Sequence, residues 1–138
     1  MSIKNLTGEN NVNSIIPCEC GVFTPTVVNQ QNIDTIDNVS ITYYRCGTYY
    51  NLRVRFRVKE LVLLATTSVG LLLDQWPDIV FSTDKTNAIG NWAVTNKIAY
   101  FANAFCAAGG NELKIQWTPD TVLLNGWVES TFIFNYPP

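Results

Sequence analysis

The run Leu52-Arg53-Val54-Arg55-Phe56-Arg57-Val58-Lys59 alternates apolar and cationic residues without a slip. A strand turns successive side chains to opposite faces, so this run has one apolar face and one charged face. A helix, with a period of about 3.6 residues, would scatter the four cations around its whole circumference. The run is a half-buried β-strand, and it sets the class of the chain.

The remaining sequence is cut into pieces of strand length. Residues 1–14 are polar and rich in Asn, which reads as an extended N-terminal arm or linker ahead of a single domain over 15–138. Ile15, Ile16, Val22, Phe23, Val27 and Val28 are interrupted by Pro17, Gly21 and Pro25, which suits short or edge strands because proline cannot donate to a ladder. Residues 30–38 read as a polar loop. Residues 39–46 and 49–59 then make a hairpin about Gly47-Thr48.

Beyond that hairpin, residues 61–65 continue the strand past a bend and 66–70 form a loop. A short helix over 60–73 is the competing reading, because Leu is abundant and β-branching sparse there. Ile79-Val80-Phe81 reads as a strand, 84–87 as a loop, 90–94 and 97–101 as a tight hairpin, and 102–110 as a loop. Leu113, Ile115 and Trp117 alternate with Glu112, Lys114 and Gln116, a second half-buried strand. Asn125-Gly126 fits a type I′ turn between 122–124 and a last strand beginning at Trp127. In that strand Val128, Ser130, Phe132 and Phe134 share one face, and Trp127, Glu129, Thr131 and Ile133 the other. Roughly seven to nine short strands with frequent turns predict an all-β fold, an antiparallel β-sandwich of jelly-roll-like, Greek-key type.

Composition removes several functions. The chain of 138 residues is 14% charged, below the usual quarter or so, with a net charge of −2. It has no global electrostatic pull toward nucleic acid or anionic membrane, and its low charge favours association with itself. No His occurs, so Ser-His-Asp and Cys-His catalysis within the chain is impossible, and no phosphate-cradling loop is present. The acids Asp74, Asp78, Asp84, Glu112, Asp120 and Glu129 would supply some carboxylate pair in any β-domain, so they do not argue for a glycosidase. Cys18, Cys20, Cys46 and Cys106 lack zinc-site spacing. They suit small buried hydrophobes or a disulfide of Cys18 or Cys20 with Cys46 or Cys106, a choice the sequence leaves open. No metal or cofactor is expected. The apolar run over 61–73 is too short for a membrane span and reads as core, and the N-terminus lacks a secretion signal, so no membrane insertion is expected.

Two groups of residues are candidates for function. Arg53, Arg55, Arg57 and Lys59 form a solvated or edge-protecting face, or pair with acids of a neighbouring strand or subunit as interface residues; nucleic acid is the least supported use. Among the aromatics, Trp117 and Trp127 suit the core. Trp76, beside Gln75 and Asp78, and Trp92, beside Asn91, suit sugar binding, in which rings stack on sugar faces and amides and carboxylates satisfy hydroxyls. Trp76, Asp78, Asn91 and Trp92 are therefore the candidate saccharide residues.

The segment Tyr44-Arg45-Cys46-Gly47-Thr48, followed by the alternating strand, resembles C-terminal head domains of phage tail fibres and baseplate receptor-binding proteins. The likeness runs over about 39–136, through Leu73 to Pro77, Trp92-Ala93-Val94, Lys97 to Phe101, Gly110 to Ile115 and Asn125-Gly126, although the Trp76-Pro77 pair itself is unusual for that family. Thr48 stands where that family usually has Asn. The resemblance implies a jelly-roll-like head, a homotrimer, that recognises host cell-surface saccharide without catalysis. It also implies attachment to other virion proteins through the N-terminal arm, and reduced cysteines in a virion protein made in the host cytoplasm.

Overall fold

A computed structural model describes residues 17–81, 85–86, 102–106, 109–119 and 125–137, with backbone alone at 85–86, 102–106 and 125. These residues form nine strands and no helix: β1 (Cys18–Phe23), β2 (Thr26–Gln31), β3 (Ile33–Cys46), β4 (Tyr49–Glu60), β5 (Thr67–Leu72), β6 (Lys85–Thr86), β7 (Ala102–Cys106), β8 (Glu112–Trp117) and β9 (Asn125–Asn135). They lie in two sheets, ordered β1-β3-β4-β9 and β2-β5-β8-β7-β6, and every pairing is antiparallel. The all-β antiparallel sandwich read from the sequence is the fold. Strands β5 to β8 lie in the order β5-β8-β7-β6, so β5 pairs with β8 rather than with β6. The arm over 1–14 and the hairpin read over 90–101 lie outside the described residues.

β4 carries the alternation into three dimensions. Leu52, Val54 and Phe56 are wholly buried and Val58 nearly so, while Arg53, Arg55, Arg57 and Lys59 face solvent. The buried face meets Ile41 of β3, Phe132 of β9 and, from the other sheet, Leu71, Leu113 and Ile115. Each such buried side chain contributes about 1.5–3 kcal/mol relative to exposure. Gly47, at φ 55°, closes the β3–β4 hairpin in a conformation that costs other residues steric strain. Val128, Ser130, Phe132 and Phe134 of β9 face inward, as their alternation predicted.

Several segments depart from the sequence expectation, mostly where pairing overrides turn-forming composition. Residues 30–38 are not a loop: β2 runs to Gln31 and β3 starts at Ile33. The register of β3 shifts between Ile33 and Thr35 and again between Asp37 and Ser40, and Ile33, Ile36 and Val39 all pack on the core. Those irregularities break the period-of-two signal, and Asn29, Asn32 and Asn38 take the positive φ angles that Asn tolerates. Residues 66–70 mostly belong to β5, which is buried on both faces and therefore shows no alternation. The Glu112 carboxylate lies against Gly70, so a side chain at 70 would have to displace it.

The helix considered over 60–73 does not form. Residues 61–65 are a turn rather than more strand, and Leu61 to Leu64 are exposed rather than core, because the turn carries them past the end of the sheet. Residues 79–81 are not a strand, although Ile79 and Phe81 are buried and Phe81 exchanges backbone hydrogen bonds with Gly109 (2.6 Å) and Gly110 (3.0 Å). Residues 85–86 and 102–106, read as loops, pair as β6 and β7. Asn125-Gly126 is no turn: the two residues sit in β9 opposite Lys59 and Val58. Trp117 is buried as expected, but Trp127 lies on the outer face beneath the Arg55 guanidinium, 3.9 Å from its ring centre.

The cysteines realise one of the disulfide pairings the sequence left open and differ from the reduced state that the resemblance implied. Cys18 and Cys46 are register partners of β1 and β3, with Cα atoms 4.1 Å apart, and they form a disulfide. That bond staples the outermost strand of its sheet. Cys20 is a free, exposed thiol, and the side chain of Cys106 lies outside the described residues.

Candidate functional site

The segment after β5 folds back on itself. The Trp76 N–H donates to the Leu73 carbonyl (3.0 Å) and the Ile79 N–H to the Trp76 carbonyl (3.1 Å). This double turn aims the Trp76 ring inward, where only 9% of the residue stays exposed. The ring meets Tyr43 (4.9 Å), Tyr50 (5.0 Å) and Phe23 (5.6 Å) edge to face, the arrangement aromatic quadrupoles favour. Tyr50 in turn stacks on Phe134, 4.7 Å away. Trp76 is thus a wall of the core rather than the open platform its loop position suggested. Its Nε1–H is buried and finds no acceptor among the described residues.

Beside this wall opens a cavity of about 390 Å³, lined in part by Arg45, Tyr50, Gln75, Trp76, Asp78 and Tyr136. Its lining combines aromatic residues with Arg45, Gln75 and Asp78, a guanidinium, an amide and a carboxylate. Arg45 stands 5.0 Å over the Tyr50 ring and pairs with Glu19 at 3.2 Å. The Tyr136 hydroxyl accepts from the Val80 N–H (3.4 Å) and donates to the Asp78 carbonyl (3.5 Å), holding the C-terminal segment across the opening. Burial pushes the Tyr50 phenol above its ordinary pKa, and the Arg45 charge opposes that rise, so the ring stays neutral at physiological pH. A smaller cavity of about 170 Å³ shares Arg45 and reaches Cys18, Glu19 and Gly47.

Of the residues expected to bind saccharide, Trp76 and Asp78 line this one cavity. Asn91 and Trp92 lie outside the described residues. Arg45, Gln75 and Tyr136 were not singled out in the sequence. A signal for Arg45 existed, since a turn at Gly47-Thr48 sets Arg45 directly opposite Tyr50 in the hairpin register. Tyr136 gave none, because its place depends on how β9 ends.

The cationic row does not join the cavity. It lies on the outer face of the β1-β3-β4-β9 sheet, and three of its members meet acids of neighbouring strands. Arg55 pairs with Glu129 (3.3 Å), Lys59 with Asp34 (3.7 Å), and Arg57 reaches both oxygens of Asp37 (2.9 and 2.7 Å). Arg53 has no acidic partner among the described residues. The Arg57 hydrogen bonds hold the Asp37 carboxyl below its ordinary pKa. Other acids are also engaged in holding strands: Asp74 accepts from the Thr26 N–H and hydroxyl, both at 2.7 Å, and Glu112 from the Asn29 amide at 3.0 Å. Among the described residues no group of three or more His, Cys, Asp or Glu is arranged to hold a metal ion.

Compared with known protein families, curated proteins and solved structures, the chain matches none.

Proposed function

We propose that the chain is a non-enzymatic receptor-binding head domain of a virion or prophage particle, jelly-roll-like in design, that binds host cell-surface saccharide as a homotrimer. The observation that carries this reading is the cavity of about 390 Å³ where Trp76 and Asp78 meet Arg45, Tyr50, Gln75 and Tyr136. Tyr136, the lining ring that is only half-buried, offers apolar contact to a sugar, while the amide of Gln75, the carboxylate of Asp78 and the guanidinium of Arg45 suit its hydroxyls. The volume fits one or two sugar units by the usual size of small-ligand sites, about 300–1,000 Å³. The resemblance of 39–136 to phage receptor-binding heads supplies the biological setting, with the N-terminal arm joining other virion proteins.

Glycan-array binding and light-scattering mass test this together. The expected result is a trimer whose glycan binding falls at least about fivefold in Gln75→Ala and Asp78→Ala, each loss of a well-placed hydrogen bond being worth about 1–3 kcal/mol. A monomer that binds no glycan sinks the reading. A trimer that binds none identifies instead an assembly domain of a capsid, baseplate or tail.

A further inference from the structure

At the far end of β4, residues 61–64 put four consecutive aliphatic side chains into solvent. Leu61 is 55% exposed, Val62 57%, Leu63 37% and Leu64 73%. Leu64 does so at φ 62°, a backbone conformation that a bulky non-glycine residue seldom adopts. The turn is nevertheless tightly held. Asn32, itself at φ 58°, clamps Val62 with its side-chain amide: its Nδ2 donates to the Val62 carbonyl (2.8 Å) and its Oδ1 accepts from the Val62 N–H (2.9 Å). The Leu61 N–H donates to the Asn32 carbonyl (3.2 Å) and the Leu64 N–H to the Pro119 carbonyl (2.6 Å). The backbone groups of an exposed turn ordinarily rely on water. Here the N–H groups of Leu61, Val62 and Leu64 and the carbonyl of Val62, half of the eight backbone groups of 61–64, have partners within the protein, which lowers the cost of taking the turn out of water.

We propose that residues 61–64 form a lipid-contacting loop that enters the headgroup–acyl boundary of an electrically neutral bilayer. Three observations choose this occupant over a second protein. The four side chains expose roughly 400 Å² of apolar surface, about half of what each partner buries in a standard protein interface. They are consecutive in one turn, so the whole patch sits on a single short segment, the form of a shallow insertion rather than of a broad interface. The nearest charged groups of the described residues are already neutralised or withdrawn: Lys59 pairs with Asp34 at 3.7 Å, and Glu60, 1% exposed, accepts from the Trp117 indole. That collar carries no surplus cation to select anionic lipid. The contact is peripheral: the loop reaches only the outer ~5–10 Å of the membrane. It departs from the sequence-based expectation of no membrane insertion and is independent of the saccharide reading.

Flotation of the purified full chain with phosphatidylcholine vesicles tests the proposal, at salt of about 0.1 M and about 0.5 M to separate apolar from electrostatic binding. The chain is expected to float at both salt concentrations, with less than about twofold gain on adding phosphatidylserine, while Leu61→Asn/Leu64→Asn loses about tenfold or more of the bound fraction. Val22→Asn, which changes a 66% exposed residue of β1, is expected to float like the parent. Circular dichroism and light scattering of the double variant are expected to match the parent. A parent chain that stays unbound overturns the proposal, as does a double variant that floats undiminished. So does a parent oligomer that ignores vesicles and falls apart in the double variant, because the loop would then face another copy of the chain.

Discussion

The two ends of β4 are made of opposite materials. At the Tyr50 end, side chains turn inward and leave a hollow: Tyr43, Tyr50 and Trp76 pack edge to face, and Arg45, Gln75 and Asp78 line the mouth. At the Glu60 end, side chains turn outward and make a knob, held from beneath by the amide of Asn32. The hollow is a property of packed rings, so its shape and the stability of the fold are coupled. The knob is a property of hydrogen-bonded backbone, so its side chains are free to change without disturbing the core. A strand whose middle is an ordinary sandwich core thus supports two surfaces of different mechanical character.

The sharpest way to break that comparison is to truncate one residue at each end. Trp76→Ala removes a nine-tenths buried ring that contacts three others, and its expected cost is about 3–5 kcal/mol. Leu64→Ala, at 73% exposure, is expected to change stability by no more than about 0.5 kcal/mol. Urea unfolding of both variants gives the measurement. Comparable losses would mean that the loop is as much a part of the core as the ring. The same reasoning makes Gln75 and Asp78, rather than Trp76, the proper residues for testing ligand binding.

How much of this was legible beforehand follows from the physics of each segment. The middle of β4 and the whole of β8 were plain, because a sheet with one wet face writes its orientation as a period of two. β5 was not, because both its faces are covered and Ser68 and Gly70 imitate a loop. β3 was half-read, since its irregularities shift Ile36 and Val39 out of strict alternation. Asn125-Gly126 misled because local turn preference is worth little against the backbone pairing and buried Val58 opposite. At the candidate site, Trp76 and Asp78 were found through aromatic–polar adjacency in a loop, whereas Tyr136 arrives from the far end of the chain. The apolar content of 61–65 was visible, but its exposure was not: composition alone cannot say whether a Leu-rich run is covered.

A smaller effect separates the ends through the disulfide. Cys18–Cys46 fastens β1 beside the hollow, and its two residues are 28 apart in sequence. On loop-closure entropy, removing such a bond costs about 3.5 kcal/mol. Cys18→Ser/Cys46→Ser should therefore lower the thermal midpoint and loosen the Arg45–Glu19 pair, with glycan binding falling in step. Vesicle flotation should not change, since Asn32 and residues 61–64 lie at the other end. Loss of both activities in a variant still folded by circular dichroism would show that the two ends are coupled.

The smallest expected effect lies between the two ends, on the outer face of the sheet. Asp37 accepts two hydrogen bonds from Arg57, and these hold its folded-state pKa below the ordinary 3.8. A carboxyl with a depressed folded pKa stabilises the fold above its unfolded pKa, and that contribution is lost as pH falls through the lowered folded value. The stability gap between the parent and Arg57→Ala should thus stay level from about pH 8 down to about pH 5, then narrow below about pH 4. The gap itself should be small and should shrink with added salt, because both partners are about half exposed. Thermal melts of the two proteins across this range give the comparison directly. A gap that widens in acid would mean that Arg57 acts through something other than Asp37. A gap that salt leaves untouched would place this pair in a drier setting, such as a subunit interface formed by the cationic row.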